Sequence, residues 1–182
     1  MARTGVTTET TKHFVIDAGA VFVNYGEVDE RLLGATSGGN SFTVEQEIRV
    51  IEIDGVRGPL KGARRIVSVS PRLTVNLLEM TAANIALALA GSVITDDVTH
   101  DSITREGSIV AADYVKNVAL VGDISGTSEP IVIIVENALS DGEFSIEATD
   151  REEATIELQF TGHFDPADLD HEPWEIRFPK IV

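Results

Sequence analysis

The sequence SFTVEQEIRVIEIDGVRGPLKG at residues 41–62 has the period-two pattern of a β-strand with one buried face. Its even positions carry Phe42, Val44, Ile48 and Val50, and its odd positions carry Thr43, Glu45, Glu47 and Arg49. The apolar residues then change sides, to Ile51 and Ile53. Because one inserted residue swaps the two faces of a strand, we expect a bulge or bend near Val50.

The second half of this stretch predicts an exposed tip. Asp54 and Gly55 form a turn sequence, and residues 56–62 hold Gly, Pro and basic residues in place of core side chains. A long two-faced strand that ends in a projecting loop favours assembly over catalysis.

The rest of the chain predicts a mainly β fold. We expect a flexible N-terminal arm at residues 1–12 and a single domain at 13–182. One helix is predicted at 81–90, with Thr81 as its N-cap and Gly91 at its end. Further strands are predicted at 13–16, 20–24, 64–69, 73–78, 115–121, 131–136, 143–148, 154–162 and 174–178, with a loop at 25–40 and short strands and loops at 92–114. About ten strands and one flanking helix indicate a β-sandwich or a partly closed barrel.

Charge and composition exclude several classes of function. The net charge of -16 disfavours a grip on nucleic acid or on an anionic membrane. Residues 81–182 carry a net charge of -15, whereas residues 49–72 carry +4. The chain has no cysteine, which excludes disulfides and thiol catalysis. It shows no signal peptide and no apolar run long enough to span a bilayer, so we expect a soluble protein made in the cytoplasm.

No motif in the sequence predicts an enzyme, a cofactor or a metal. The glycine-rich residues 33–42 lack the GK[ST] and GxGxxG patterns and precede a strand, so we interpret them as a loop. Residues 163–171 hold three carboxylates and two imidazoles, but a solvated loop is the favoured interpretation and a metal site the lesser alternative. His100 lies near Asp and Ser residues without a GxSxG elbow.

Five motifs, taken in order, resemble a known protein family. They are DAGAVFVNYG at 17–26, LLGATSGGNSF at 32–42, IEIDGVRGPLKG at 51–62, LTVNLLEM at 73–80 and GHFDPADLDHEPWEI at 162–176. With a single helix after the first set of strands, this order resembles the major tail tube proteins of long, non-contractile-tailed bacteriophages of the siphovirus type. The length is similar to that of the bare tube domain.

The resemblance implies a structural virion protein. In that family, β-sandwich subunits with a flanking helix join into hexameric rings, and the rings stack into a tube through which the genome passes. The implied partners are further copies of the chain and other tail proteins (tape measure, tail tip and terminator), while DNA crosses the lumen without specific binding. The implied location is the virion tail, after assembly in the host cytoplasm.

The resemblance also assigns expected roles to residues. The strand at 42–53 is similar to a lumen-lining strand, with Glu45 and Glu47 as candidates for the channel surface. The N-terminal arm and the loop at 54–62 are expected ring-to-ring contacts, and the basic stretch adds further interface residues. The candidates for these contacts are Asp54, Arg57, Lys61, Arg64 and Arg65.

Two alternatives remain open at this point. The first is the tube protein of a type VI secretion or contractile system, which shares the ring-stacking fold. The second is a β-sandwich module that binds carbohydrate or a host receptor, although one Trp and two Tyr are a thin supply of stacking platforms.

Overall fold

The computed structural model describes residues 5–146, 150–151 and 153–181, and it consists mainly of antiparallel strands. The predicted mainly β fold with one flanking helix is confirmed. The α-helix is α1 Ala82–Ala88, and Thr10–His13 and Ala111–Asp113 are short 3-10 helices. The strands are β1 Val15–Val23, β2 Arg31–Leu32, β3 Thr36–Val50, β4 Arg64–Leu77, β5 Ser92–Asp96, β6 Asp101–Arg105, β7 Val115–Ile124, β8 Ile131–Ser140, β9 Ile156–Thr161 and β10 Trp174–Arg177.

Strand β8 joins two sheets into a sandwich. The strand order is β2-β1-β7-β8-β9-β4-β3, with β10 paired to β8 and with β5-β6 as a separate hairpin. The first part of β8 pairs with β7 and β10, whereas Leu139 and Ser140 at its end pair with β9. Asn137 lies between these two parts with φ 47°, a left-handed conformation that asparagine tolerates better than most residues. Among the described residues β2 and β3 do not pair with each other, so the barrel is not closed.

The core lies between the two sheets. Leu73 and Val75 of β4 and Phe160 of β9 are completely buried, and they belong to the same cluster as Val21 and Val118 from the other sheet. Each large side chain buried in this way stabilises the fold by roughly 1.5–3 kcal/mol relative to leaving it in water. In the second half of β4, the apolar residues of the alternating pattern are therefore the ones buried between the two sheets.

Helix α1 begins where the sequence predicts it. The Thr81 side chain accepts a hydrogen bond from the Asn84 backbone N–H at 3.2 Å, which makes Thr81 the N-cap. Asn84 is buried, and its side-chain amide donates to the carbonyls of Leu33 and Glu79 at 3.0 and 3.1 Å. These bonds attach the helix to the chain segments on either side of the β3–β4 hairpin.

Strand β4 is continuous, so the prediction of two separate strands at 64–69 and 73–78, broken at Ser70-Pro71, is wrong. Pro71 accepts a hydrogen bond from the Gly162 N–H at 3.0 Å, and β9, the neighbour on that side, pairs with β4 only from Arg72 onwards. The N–H and C=O of one strand residue point to the same side, so the missing N–H of Pro71 would also have faced β9 and not β3. Proline therefore costs no hydrogen bond to β3, and the regular pairing of β4 with β9 begins only at Arg72.

Other predicted segments differ from the structure in detail. The glycine-rich residues 33–42, predicted as a loop, enter β3 at Thr36, with the ladder interrupted between Thr36 and Asn40. The predicted strands at 13–16 and 20–24 form the single strand β1, which has a bulge between Ile16 and Ala20. The described part of the strand predicted at 143–148 shows only an isolated bridge between Ile146 and Ile156, and residues 147 and 148 lie outside the described residues.

Candidate assembly surface

The β3–β4 hairpin continues well beyond the body of the sandwich. Strand β9 pairs with β4 only between Arg72 and Leu77, so from Ser70 outwards β4 has β3 as its single strand partner in the described part of the chain. We call residues 45–70, which include the loop 51–63, the extension. Its paired part from Glu45 to Val50 is about 20 Å long, at about 3.3 Å per residue.

One face of the extension is apolar. Residues opposite each other in an antiparallel pair share a face, and Ile48 lies opposite Ile66. On the same face of the two strands lie the pairs Gln46–Val69 and Val44–Pro71 and then Leu73, which belongs to the core. The core-facing side of the sheet therefore continues into the extension. No described part of the chain covers it there, since Ile48 and Ile66 are 45% and 55% exposed.

Exposed apolar side chains are concentrated in the extension. Turns at Asp54-Gly55 and Lys61-Gly62 shape its loop, with the Val56 N–H donating to the Ile53 carbonyl at 3.2 Å. Gly55 has φ 85°, which explains the glycine at this position and confirms the predicted turn. The loop surrounds an open hollow of about 430 Å³. The exposed large apolar residues of the extension are Ile48, Val50, Ile51, Ile53, Val56, Leu60, Ile66 and Val67.

The opposite face of the extension is polar and carries charges of both signs. Glu45 and Glu47 are exposed and lie opposite Ser70 and Ser68, and Arg49 lies opposite Arg65. Within the part of the chain that the structure describes, no charged side chain of the extension forms an ion pair. These charges are therefore available to a partner or to water.

The irregularity predicted near Val50 lies elsewhere. Glu47 pairs with Ser68 and Ile48 pairs with Ile66, so the extra residue is Val67 on β4 and not a residue of β3. Strand β3 ends at Val50, and although the Ile51 N–H still donates to the Ala63 carbonyl at 2.8 Å, Ile51 and Ile53 lie in the loop beyond the strand.

The five single residues predicted as contacts all lie on the extension, whereas the N-terminal arm, also predicted as a contact, does not. Asp54, Arg57 and Lys61 are exposed in the loop, whereas Arg64 and Arg65 begin β4 and point to opposite faces. The sequence reasoning missed the apolar residues Ile66, Val67 and Val69 as part of this surface. Their alternation with Ser68 and Ser70 is the available signal, but by itself it predicts only a strand and not an exposed surface.

A second exposed apolar region lies at the body of the sandwich, and we call it the groove. It has a volume of about 540 Å³ and is open to solvent. Tyr114 and His163 form its floor with an edge-on ring contact at 5.0 Å, and Phe164 is 37% exposed. Its full lining is Ile109, Val110, Ala111, Tyr114, Asn137, His163, Phe164, Asp165 and Pro166.

The histidines singled out in the sequence have separate partners. His163 Nδ1 lies 3.2 Å from the Asn137 carbonyl, and His171 Nε2 lies 3.1 Å from Glu136 Oε2. His100 lies in the exposed turn between β5 and β6, 2.9 Å from the Thr99 hydroxyl. A search of the described residues finds no group of three or more His, Asp or Glu side chains that could hold a metal ion.

Ion pairs of the body contrast with the unpaired charges of the extension. Lys116 Nζ lies 2.6 Å from Glu27 Oε2, and this hydrogen bond, with the attraction of the carboxylate, raises the pKa of Lys116. Arg177 lies 2.9 Å from Glu175, whose hydrogen bond raises the pKa of the guanidinium. The body satisfies its own charges at these positions.

A scan against protein-family models gives no match to this chain, and a search of the curated proteins finds no similar sequence. Among the described residues, no helix is long and apolar enough to cross a membrane.

Proposed function

We propose that this chain is a major tail tube protein of a long, non-contractile-tailed bacteriophage. Its copies join into hexameric rings, and the rings stack into a tube that conducts the genome during ejection. One observation carries the proposal: the apolar face of the extension continues the core face of β3 and β4, yet it is exposed in the single chain. A face of this kind fits burial against a neighbouring copy.

Physical chemistry favours assembly for such a surface. Contiguous exposed apolar patches on soluble proteins mark interaction sites, because leaving them in water is unfavourable. Strand β3 is also an edge strand along its whole length, and an open edge of this kind promotes pairing with another chain. Contacts between two different patches of one protein close into rings or continue as filaments. A stack of rings uses both outcomes.

The polar face of the extension is the proposed channel wall. If the apolar face is buried between copies, the face with Glu45 and Glu47 is left in contact with water. Arg49 and Arg65 lie on the same face, so the two carboxylates interrupt what would otherwise be a cationic track for phosphates. A wall of mixed sign lets DNA move past without being held.

Electron microscopy of the concentrated protein tests the proposal directly. The expected result is stacked rings or tubes, with six copies in each ring. Rings of another symmetry would refute the hexamer alone. A protein that stays monomeric at high concentration, both alone and with the other tail proteins, would overturn the proposed function.

Charge reversal tests the channel wall separately. In phage carrying Glu45→Lys and Glu47→Lys, rings are expected to form, whereas DNA passage is expected to slow because the wall becomes cationic. The matched control is Asp96→Lys with Asp101→Lys, which makes the same charge change at a cross-strand pair in the β5–β6 hairpin. Infectivity equal to that of the control would contradict the assignment of Glu45 and Glu47 to the channel wall.

A further inference from the structure

Two exposed apolar surfaces of this chain carry opposite charge, and they fit each other. We propose that the tip of the extension, residues 50–65, docks in the groove of a second copy. This inference rests on the proposed function, because it names the surface that receives the extension. It goes beyond that function in joining two regions that the single chain keeps separate.

The tip supplies apolar side chains and positive charge together. Ile53, Val56 and Leu60 are each about half exposed around the loop. Arg57 and Lys61 lie between and beside them and have no ion-pair partner among the described residues. Residues 50–65 carry a net charge of +2, from four cations and two carboxylates.

The groove supplies the complementary chemistry. Val110 and Ile109 are 55% and 54% exposed at its rim, and the Phe164 ring adds an apolar wall. The segment 163–172, which borders it, holds four carboxylates and no Lys or Arg. Asp165 lines the groove itself, and its Oδ1 accepts a hydrogen bond from the Ala167 N–H at 2.8 Å. Among the described residues no cation forms an ion pair with this carboxylate.

Size and charge together favour this pairing. A groove of about 540 Å³ lies within the roughly 300–1,000 Å³ range of clefts that enclose a compact ligand, and a few apolar side chains of the loop are of that order. An apolar centre with charged groups at its rim is the usual anatomy of a specific protein interface. The rim charges then select the partner and its orientation.

The N-terminal arm of a second copy is a weaker candidate for the groove. Its described residues 5–12 include one cation, Lys12, which is already paired with Glu9 at 2.8 Å. They also offer only one large exposed apolar side chain, Val6. The tip has several exposed apolar residues and unpaired cations. It therefore matches the apolar and acidic groove better than the arm does.

Disulfide trapping tests the docking because the chain has no cysteine of its own. Purified Val56→Cys and Phe164→Cys proteins are mixed under mild oxidation, and the cross-linked products are resolved by mass. The expected main product joins one copy of each variant, at a yield at least about tenfold above that of a mixture of Val56→Cys with Val98→Cys. Val98 is a matched control because it is almost fully exposed in the β5–β6 turn.

A second experiment exchanges the charges. Arg57→Glu with Lys61→Glu, and separately Asp165→Lys with Asp168→Lys, are each expected to weaken self-association at least about tenfold in sedimentation. The chain that carries all four substitutions is expected to recover, because the attraction is restored with its sign reversed. Circular dichroism of each variant verifies that the fold is intact.

The outcomes separate the docking from the function. If wild-type tubes form but the trapping yield equals that of the Val98 control and the fourfold variant does not recover, the docking is wrong and the tube remains. If the wild-type chain never assembles, the proposed function fails. A cross-link between Val56→Cys and Phe164→Cys in isolated dimers would then still support the docking.

Discussion

The two halves of the continuous strand β4 lie in different environments. Leu73 lies on a sheet face that a second sheet covers, and it is completely buried. Ile66, seven residues earlier, shares that face across the bulge at Val67 and is 55% exposed. The difference teaches that an alternating pattern specifies a buried face but not which chain covers it. In the body the cover is the chain's own second sheet, whereas in the extension we infer that it is another copy.

Electrostatics separates the two regions in the same way. The body pairs Lys116 with Glu27 and Arg177 with Glu175, whereas the charges of the extension have no partner among the described residues. A surface on which apolar side chains are exposed and charges are unpaired is suited to binding a partner. The following experiments test that contrast.

Removing the extension is expected to have the largest effect. Glu45 and Ser70 are a cross-strand pair, so replacing residues 46–69 by Asn-Gly gives a two-residue hairpin turn between them. The body is expected to fold, because its fully buried residues lie outside the deleted segment. Self-association is expected to be lost completely in sedimentation and electron microscopy.

The control for this deletion is the thermal unfolding of the shortened chain. A cooperative transition close to that of the monomeric wild type shows that the body is an independent unit. Tubes formed by the shortened chain would contradict the assembly role of the extension.

A matched pair of substitutions on β4 comes next. Leu73→Ala is expected to destabilise the chain by about 2–5 kcal/mol, because it opens a cavity in the core. Ile66→Ala is expected to change the stability of the monomer by no more than about 0.5 kcal/mol, since the side chain is already in water. Urea unfolding at low protein concentration measures both.

The same pair is expected to reverse its order in assembly. Ile66→Ala should weaken self-association although the monomer is as stable as the wild type. Equal and large destabilisation of the monomer by both substitutions would mean that the extension is covered within its own chain.

The sequence predicted the elements better than their environment. The alternation around Phe42 and Leu73, the cap at Thr81 and the turn at Asp54-Gly55 are local patterns, and each is present in the structure. The break at Pro71 was predicted wrongly because its permissive context comes from the end of β9, about 90 residues away. Local chemistry determines what an element is, and distant chain segments decide whether it continues.

The candidate surface was half predictable for the same reason. Charged residues such as Arg57 and Lys61 stood out in the sequence because Gly and Pro surround them. Ile66 and Val67 did not, because an exposed apolar strand has the same sequence pattern as a buried one. The groove was not predictable, since Tyr114 and Phe164 come to line the same groove only through the pairing of β8 with β7 and β9.

Removing a hydrogen-bonded polar side chain is expected to affect stability in the body but not in the extension. Asn84→Ala is expected to cost about 1–3 kcal/mol, because it removes the hydrogen bonds that the buried amide donates to the carbonyls of Leu33 and Glu79 and the one that its Oδ1 accepts from Arg31. The control is Asp54→Ala in the loop of the extension, which is exposed and is expected to change stability by less than about 0.5 kcal/mol. Chemical unfolding of both variants checks the prediction, and a harmless Asn84→Ala would show that the helix is attached by packing alone.

The smallest effect is expected for the exposed ion pair of Lys116 and Glu27. Because the folded-state pKa of Lys116 is raised, the pair contributes stability that is full below about pH 10.5 and is lost as the pH rises through the folded pKa. Lys116→Met is therefore expected to lower Tm slightly at pH 7, and the difference from the wild type should vanish in strongly alkaline buffer. Lys61 in the extension has no ion pair with any described residue, so Lys61→Met should leave the monomer's Tm unchanged at pH 7. A larger loss of monomer stability at Lys61 than at Lys116 would contradict the contrast between a cation that is paired within the body and one that we infer is paired by a second copy.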